Sequence, residues 1–246
     1  MLNGFWKLTW IETKVFIREP MGFVTSLAMP LVIFLVFGSL SFGSSGTTST
    51  VEAPFNVPIL AALFIALSAV ASLVVIISIY RESGILKRLR ATPLSPVTIL
   101  SAQVVVRLLF TVASLAILIV AGRQFFPGAL DVNLPSFTAA LLLSTLSILS
   151  LGFVIASLVP TSRFARPITA GFLYPMVVLS GLFFPIEQLP LPLRIFANGL
   201  PTTHAVSLML GVWDGSGWGA HLGSVAALIL IFLVCIGLTT RIFRWE

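Results

Sequence analysis

The sequence contains little charge, one cysteine and no Gly-Lys pair, and each shortage excludes a class of protein. Only 9% of the 246 residues are charged and 58% are apolar, whereas about a quarter of a soluble domain is charged. The lone Cys235 excludes an internal disulfide and any cysteine cluster for a metal. Without a Gly-Lys pair there is no phosphate-binding loop of the GxxxxGK[ST] type. The chain therefore does not hydrolyse ATP in that manner by itself.

Six apolar runs are long enough to cross a bilayer, which takes about 20 apolar residues per helix. They are residues 21–40, 55–79, 97–121, 137–159, 167–184 and 220–240. We predict an all-α integral membrane protein with six transmembrane helices, because open strands would leave backbone groups unpaired in lipid. No run contains Asp or Glu, and proton-driven carriers use intramembrane carboxylates or histidines. A secondary transporter, with His221 as its one candidate relay, is therefore the weaker alternative.

Basic residues are concentrated on one side of the predicted spans, and this asymmetry predicts the topology. That side carries Lys7, Lys14, Arg18, Arg81, Lys87, Arg88, Arg90, Arg163, Arg166, Arg241 and Arg244. The opposite side carries Arg123 and Arg194 together with four acidic residues, Glu52, Asp131, Glu187 and Asp214. The positive-inside rule then places both termini in the cytoplasm. The net charge of +6 is thus a topology signal, and we expect no nucleic-acid partner.

The segment before the first span has the pattern of a helix that lies along the membrane. In residues 1–19, at about 100° per residue, three basic side chains form one stripe, and Phe5 and Phe16 lie opposite. Glu12 falls near the apolar face, so the amphipathic pattern is imperfect. We predict an interfacial helix, with a solvated lead-in to the first span as the alternative.

Four prolines interrupt the apolar text before the last span, so that each piece is too short to cross the membrane. They are Pro185, Pro190, Pro192 and Pro201. We predict two short re-entrant helices on the external side, over residues 185–212, with Thr203 capping a helix that stops at Gly211. One long irregular loop is the alternative.

Arg107 is the one charged residue well inside a predicted span, where a buried charge is costly and points to a specific role. Gln103, one turn earlier on the same face, backbone carbonyls or snorkelling would satisfy it. A structural role and the binding of an anionic substrate or lipid head group both remain open at this point.

The loop after the second span carries a small helical pattern of its own. Its text is YRESGILKRLRATPLSP, in which Ile85 and Leu89 share a face while Lys87, Arg88 and Arg90 project elsewhere. This run closely resembles the cytoplasmic loop of type-2 ABC transporter permeases of the multidrug and daunorubicin-resistance branch. The runs SGLFFPIEQLP and LPTTHAVSLMLG look like the fifth span and re-entrant pair of that family, and the order of the spans fits over nearly the whole chain.

The resemblance implies a transport function with a division of labour. In the family, the basic loop forms a coupling helix, here residues 81–92, that docks on a separate ATPase subunit carrying ATP and Mg²⁺. The residues that inherit the coupling role are Arg81, Glu82, Lys87, Arg88 and Arg90. The chain itself would hold no cofactor, would pair with a second permease copy and would lie among the lipids of a bacterial cell membrane.

The family's second and fifth spans line the translocation path, and the corresponding residues here are small, aromatic or sulfur-containing. They are Ser68, Ser72, Phe172, Tyr174 and Met176. Small residues also serve helix packing, and aromatic and Met side chains are common core filler. The cargo implied is a drug, a lipid or a lipid-linked glycan.

Two alternatives from other classes remain at this stage. A membrane enzyme acting on lipid head groups would need convergent acid, base or metal residues near the interface. The external candidates are Glu187, Arg194, His204 and Asp214, whose spacing matches no mechanism. A purely structural membrane subunit would keep the basic loop without cargo-dependent ATP turnover.

Overall fold

The protein is described by a computed structural model that covers residues 2–18, 20–42, 56–85, 96–125, 133–159 and 161–242. Within these ranges the chain is helical and forms no strand. In chain order the α-helices are α1 (Leu2–Arg18), α2 (Pro20–Phe42), α3 (Val57–Glu82), α4 (Pro96–Phe125), α5 (Leu134–Leu158), α6 (Ser162–Val178), α7 (Leu191–Asn198), α8 (Pro201–Trp213), α9 (Gly217–Ala220) and α10 (Leu222–Ile242). A short 3₁₀ helix, Ile186–Gln188, precedes α7.

Four of the described helices are long and apolar enough to cross a membrane, namely α3, α4, α5 and α10. They match the predicted second, third, fourth and sixth spans. Helix α2 contains a shorter apolar stretch, Leu27–Ser39, and α6 is 17 residues long. These two helices occupy the predicted first and fifth positions. The all-helical membrane architecture is thus confirmed, with four clear candidate spans.

Helix α3 forms the centre of the bundle because it is apolar on all sides. Most of its residues are buried, as expected of a helix without a polar face. It begins at Asn56, whose side-chain oxygen accepts a hydrogen bond from the backbone N–H of Ile59 at 3.2 Å, a standard N-cap. Helices α2, α4, α5, α6 and α8 all pack against it. Helix α3 is therefore the element against which most of the described bundle packs.

Helices α3 and α5 approach each other closely where α5 has a glycine. A Cβ added at Gly152 would lie 2.9 Å from Cγ1 of Val70, so the absence of a side chain permits this contact. By contrast, α10 packs on α5 and α8 but keeps an apolar face exposed, including Leu230 and Leu233. An exposed face of this composition suits lipid contact.

Helix α6 differs in extent from the predicted fifth span, residues 167–184. It begins five residues earlier, at Ser162, and ends at Val178. Ser180 satisfies the carbonyl of Val177 at this end, through its backbone N–H at 3.2 Å and its hydroxyl at 2.6 Å. Gly181 follows with a positive φ of 84°, so the right-handed helical conformation does not resume there.

Two helices do follow in the proline-rich segment, but they differ in environment. Side chains of α7 are largely exposed, whereas α8 is buried and packs against α3, α5, α6 and α10. The prediction that Thr203 caps α8 is wrong, because α8 begins at Pro201, which suits a first helical turn. Thr203 lies inside that helix, and its hydroxyl donates to the carbonyl of Leu179 at 3.3 Å. Helix α8 also continues past Gly211 to Trp213.

Helix α3 extends three residues beyond the predicted end of the second span and includes Tyr80, Arg81 and Glu82. The first two residues assigned to the coupling helix therefore belong to the last turn of α3. The helix ends because Ser83 caps it and Gly84 follows with φ of 70°. Residues 86–95, with the rest of the predicted coupling helix, lie outside the described residues.

Candidate functional site

The last turn of α3 contacts the connection between α5 and α6. The guanidinium of Arg81 donates to the backbone carbonyl of Val159. The carboxylate of Glu82 accepts a hydrogen bond from the backbone N–H of Ser162 at 3.0 Å. The loop that leaves α3 and the α5–α6 connection therefore lie at the same end of the bundle, which we call the basic end.

The predicted coupling residues divide into two groups. The side chains of Arg81 and Glu82 form hydrogen bonds with the backbone of this chain, as described above. Lys87, Arg88 and Arg90 lie outside the described residues. The docking of the basic loop on an ATPase stays a prediction.

A buried polar cluster joins α1, α3 and α4 near the basic end. The hydroxyl of Tyr80 on α3 donates to the carboxylate of Glu12 on α1 at 2.8 Å. The buried side chain of Gln103 on α4 lies beside this pair. Glu12 is only 4% exposed, so a carboxylate on a helix predicted to be interfacial is in fact enclosed by protein.

Arg107 is the charged centre of this cluster on α4, with 2% of its surface exposed. Its Nη2 donates to the backbone carbonyl of Ser72 at 3.4 Å, which is one of the partners expected from the sequence. Its Cζ lies 4.5 Å from the ring centroid of Phe16, a cation–π contact. The Phe16 ring in turn packs on Phe110 with centroids 4.2 Å apart. Arg107 thus binds α1 as well as α3.

Helix α1 lies lengthwise along the first half of α4. Leu8 packs in one cluster with Ile99 and Ala102, and two turns later Phe16 reaches Phe110. Glu12 lies between these two contacts, and its carboxyl group interacts electrostatically with Arg107. The interfacial position of α1 in the membrane stays a prediction, but the helix has a specific docking face on the protein.

Burial raises the pKa of the Glu12 carboxyl above its ordinary value of 4.5, and the hydrogen bond from Tyr80 and the charge of Arg107 only partly oppose this shift. Desolvation disfavours the charged form of a carboxyl group. The sequence pattern placed Glu12 near the apolar face of α1 but did not connect it with Arg107. An acidic residue near an apolar face was the one signal in the sequence that indicated a buried basic partner.

The predicted path residues on α3 occupy two environments. Ser72 is buried, and its hydroxyl donates to the carbonyl of Ala69 at 2.9 Å, while its own carbonyl serves Arg107. Ser68, one turn earlier, is half-buried. Ser68 is therefore the more accessible of the two within this chain.

The predicted path residues on α6 do not share one face. Phe172 and Tyr174 are exposed, 49% and 63% respectively. Met176 is buried, and its carbonyl accepts a hydrogen bond from the hydroxyl of Thr202 on α8 at 3.0 Å. Of the three, only Phe172 and Tyr174 lie on the surface of this chain. The assignment of these two residues and Met176 to one channel wall stays a prediction.

At the opposite end of the bundle, His221 links α8 to α10 through serine hydroxyls. Its Nδ1 and Nε2 lie 3.2 Å from the hydroxyls of Ser207 and Ser216. The Ser216 hydroxyl also donates to the carbonyl of Gly211 at 3.0 Å. Among the residues that the structure describes, no carboxylate joins this network and no group of three metal-binding side chains occurs.

This bundle of apolar helices, with buried polar contacts at the basic end, is the architecture of an integral membrane protein. The chain belongs to the ABC-2 type transporter family, which matches residues 3–213. The family's members are membrane subunits of transporters and not themselves enzymes, so the transporter resemblance is confirmed at this level.

Several curated relatives carry the same name. The chain is similar to Nodulation protein J of Rhizobium leguminosarum bv. trifolii, with 28% identity over 102 residues. The protein of that name from Neorhizobium galegae is 36% identical over 106 residues, and that from Rhizobium leguminosarum bv. viciae is 31% identical over 100 residues. These matches cover 42%, 40% and 39% of this chain respectively, and 39% of the length of each relative.

Proposed function

We propose that this chain is the membrane-spanning subunit of an ATP-driven ABC exporter that moves a hydrophobic or amphiphilic compound out of the cytoplasm. The observation that carries the proposal is the family match over residues 3–213, in a chain without a phosphate-binding loop of its own. A drug, a lipid and a lipid-linked glycan all fit this cargo class.

The proposed topology has six spans, with α2 and α6 as the first and fifth, and both termini in the cytoplasm of a bacterium. The positive-inside rule supports it. The contact between Glu82 and Ser162 supports it as well, because an even alternation of spans requires both basic connections to lie at one end. Arg163 and Arg166, which follow Ser162, are exposed at that end.

The proposed assembly contains two permease copies and two ATPase subunits that carry ATP and Mg²⁺. The basic loop, through Lys87, Arg88 and Arg90, would dock on the ATPase and pass its motion to the spans. Phe172 and Tyr174 on α6 are exposed within this chain, so they are available to contact a second copy, cargo or lipid.

The geometry supports a structural role for Arg107 over an anion-binding role. Its guanidinium contacts the Ser72 carbonyl and the Phe16 ring, and the carboxyl of Glu12 lies close enough to sense its charge. An acidic neighbour in a buried site competes with any incoming anion. We assign Arg107 to holding α1 against α3 and α4.

The decisive experiment is a gentle detergent purification of the tagged chain from its own host, followed by mass spectrometry of stoichiometric partners. We expect a co-purifying subunit with a GxxxxGK[ST] loop. Its absence, in a preparation that keeps other membrane complexes intact, would refute the proposal. Transport into inverted vesicles, assayed with fluorescent amphiphiles, would then define the cargo.

A further inference from the structure

Glu82 supplies a helix cap to a helix that begins 80 residues later in the chain. The first four N–H groups of any helix lack intrahelical acceptors. Thr161 occupies the N-cap position of α6 but makes no side-chain capping hydrogen bond. The carboxylate of Glu82 accepts from Ser162 instead, at the positive end of the α6 dipole.

Arg81 completes the attachment on the other side of the same connection. Its guanidinium donates to the carbonyl of Val159, the residue that caps the C-terminus of α5. Adjacent residues in the last turn of α3 thus hold both the end of α5 and the start of α6. The pair restrains the connection more firmly than either hydrogen bond would alone.

The basic loop leaves α3 immediately after this attachment. The backbone N–H of Ser83 still bonds to the carbonyl of Ile79 at 2.9 Å, and that of Gly84 to the carbonyl of Arg81 at 3.2 Å. Gly84 then adopts φ of 70°, which takes the chain out of the right-handed helical conformation. A displacement of the loop that begins there therefore acts directly on the last turn of α3 along the chain.

We propose that Arg81 and Glu82 are positioning residues that make the α5–α6 connection move with the last turn of α3. The inference rests on the proposed function, in which an ATPase displaces the basic loop. A push on that loop then reaches two helices, α3 through the covalent chain and α6 through the Glu82 cap. The two residues act through this chain's own backbone and do not serve as ATPase contacts.

The sharpest variant is Ser162→Pro, which removes the N–H that Glu82 accepts and leaves the carboxylate in place. Proline suits the first helical position. Thr161 has φ of −142° and ψ of 160°, the extended conformation that a residue before proline prefers. The matched control is Ser162→Ala, which keeps the N–H and removes only the hydroxyl, the second Ser162 group that hydrogen-bonds to Glu82. Glu82→Ala removes the acceptor from the other side.

The first measurement uses the isolated chain in nanodiscs and needs no ATPase. We expect amide hydrogen exchange in residues 163–165 to rise about fivefold in both Glu82→Ala and Ser162→Pro, the factor for loss of a typical helix cap. Ser162→Ala, which loses the hydroxyl bond to Glu82 but keeps the N–H bond, should lie between the unmodified chain and these two variants. Equal exchange in all four proteins would overturn the proposal, because the cap would then restrain nothing.

The second measurement uses the complex with its ATPase and compares cargo moved per ATP hydrolysed. We expect Glu82→Ala and Ser162→Pro each to lower this ratio about threefold or more, with ATPase co-purification unchanged and the double variant no worse than either single one. Additive losses, or an unchanged ratio, would overturn the proposal. So would loss of ATPase binding in Glu82→Ala alone, since Glu82 would then be an ATPase contact.

The two measurements separate failure of this inference from failure of the proposed function. If the unmodified chain binds no ATPase, the exporter function is refuted, and the transmission role is refuted with it. The exchange rates would still show whether Glu82 caps α6. If the ATPase binds and transport proceeds normally in both variants, the exporter function stands and the positioning role is refuted. Size-exclusion profiles of every variant confirm that each one folds.

Discussion

The hydroxyl of Tyr80 donates to the carboxylate of Glu12 at 2.8 Å, and this bond joins the N-terminal helix α1 to the central helix α3. Both side chains are buried. Tyr80 immediately precedes Arg81 and Glu82, so one turn of α3 holds α1 on one side and the α5–α6 connection on the other. The basic end is therefore a junction between elements that are far apart in the sequence.

Tyr80→Phe should loosen α1 without disturbing the apolar packing of the ring. Loss of a buried hydrogen bond to a carboxylate should lower the free energy of unfolding by about 2 kcal/mol and make α1 easier to cleave with protease. The matched control is Tyr174→Phe, at the other tyrosine of the chain, which is 63% exposed. Thermal unfolding in detergent and limited proteolysis measure both variants, and equal behaviour of the two would contradict the role of this bond.

The pH dependence of α1 docking should follow Glu12. Because burial raises its folded-state pKa above 4.5, the folded protein holds the proton to a higher pH than the unfolded chain does. The stabilisation that results from this difference in the pKa of Glu12 is complete below about pH 4.5. It declines as the pH rises through the folded-state pKa. Protease resistance of α1, followed between about pH 4 and pH 8, should therefore decrease with rising pH.

Glu12→Gln is the control for this pH effect, because an amide keeps the shape of the carboxyl group and does not titrate. The difference in α1 resistance between the unmodified chain and Glu12→Gln should vanish at the acidic end and grow toward neutral pH. Parallel curves over the whole range would show that other groups cause the pH dependence.

Much of the architecture could be predicted from single-segment patterns. The apolar runs predicted α3, α4, α5 and α10 because a helix that is apolar for 18 residues or more is recognisable without its neighbours. The ends of the helices were harder to predict from the sequence. The charges of Arg81 and Glu82 ended the apolar run, but helical geometry continues through them, since Arg and Glu are good helix formers.

The partners of Arg107 show where sequence reasoning stops. A buried arginine indicates that some partner exists, and the Ser72 carbonyl was within the expected class of backbone acceptors. Glu12 and Phe16 lie outside every span, so only the docking of α1 along α4 brings them to Arg107. Such tertiary contacts between distant segments leave no local pattern, apart from the displaced acid in an otherwise apolar helix face.

Gly211→Ala should destabilise the end of the bundle opposite the basic end. A methyl group at this position would overlap the ring of His221, which would have to give up its hydrogen bonds to Ser207 and Ser216. Overpacking of this kind costs about 1–3 kcal/mol, measured as a lower midpoint of thermal unfolding. Gly223→Ala, where a Cβ meets nothing within 4 Å, is the matched control.

A second-site change tests the cause of that loss. His221→Ala removes the ring that collides with the new methyl group, so Gly211→Ala should cost less stability in the His221→Ala background than in the unmodified chain. If Gly211→Ala costs as much without the histidine as with it, the collision is not the reason for the glycine.

Charge reversal of the basic loop tests its role as the ATPase contact. Replacing Lys87, Arg88 and Arg90 with Glu should abolish co-purification of the ATPase, because like charges across an interface cost several kcal/mol, on the order of that needed to dissociate a specific complex. Membrane insertion should persist, since basic residues elsewhere on the same side still set the orientation. Cysteine-accessibility mapping checks the orientation.

A control of equal charge change separates docking from general electrostatics. Arg163, Arg166 and Arg241 are exposed basic residues outside the loop, and their reversal to Glu leaves the loop itself intact. If the ATPase is lost from both triple variants equally, net charge at that face decides association and the loop has no specific part. If only the loop variant loses it, the ATPase contact lies in the loop.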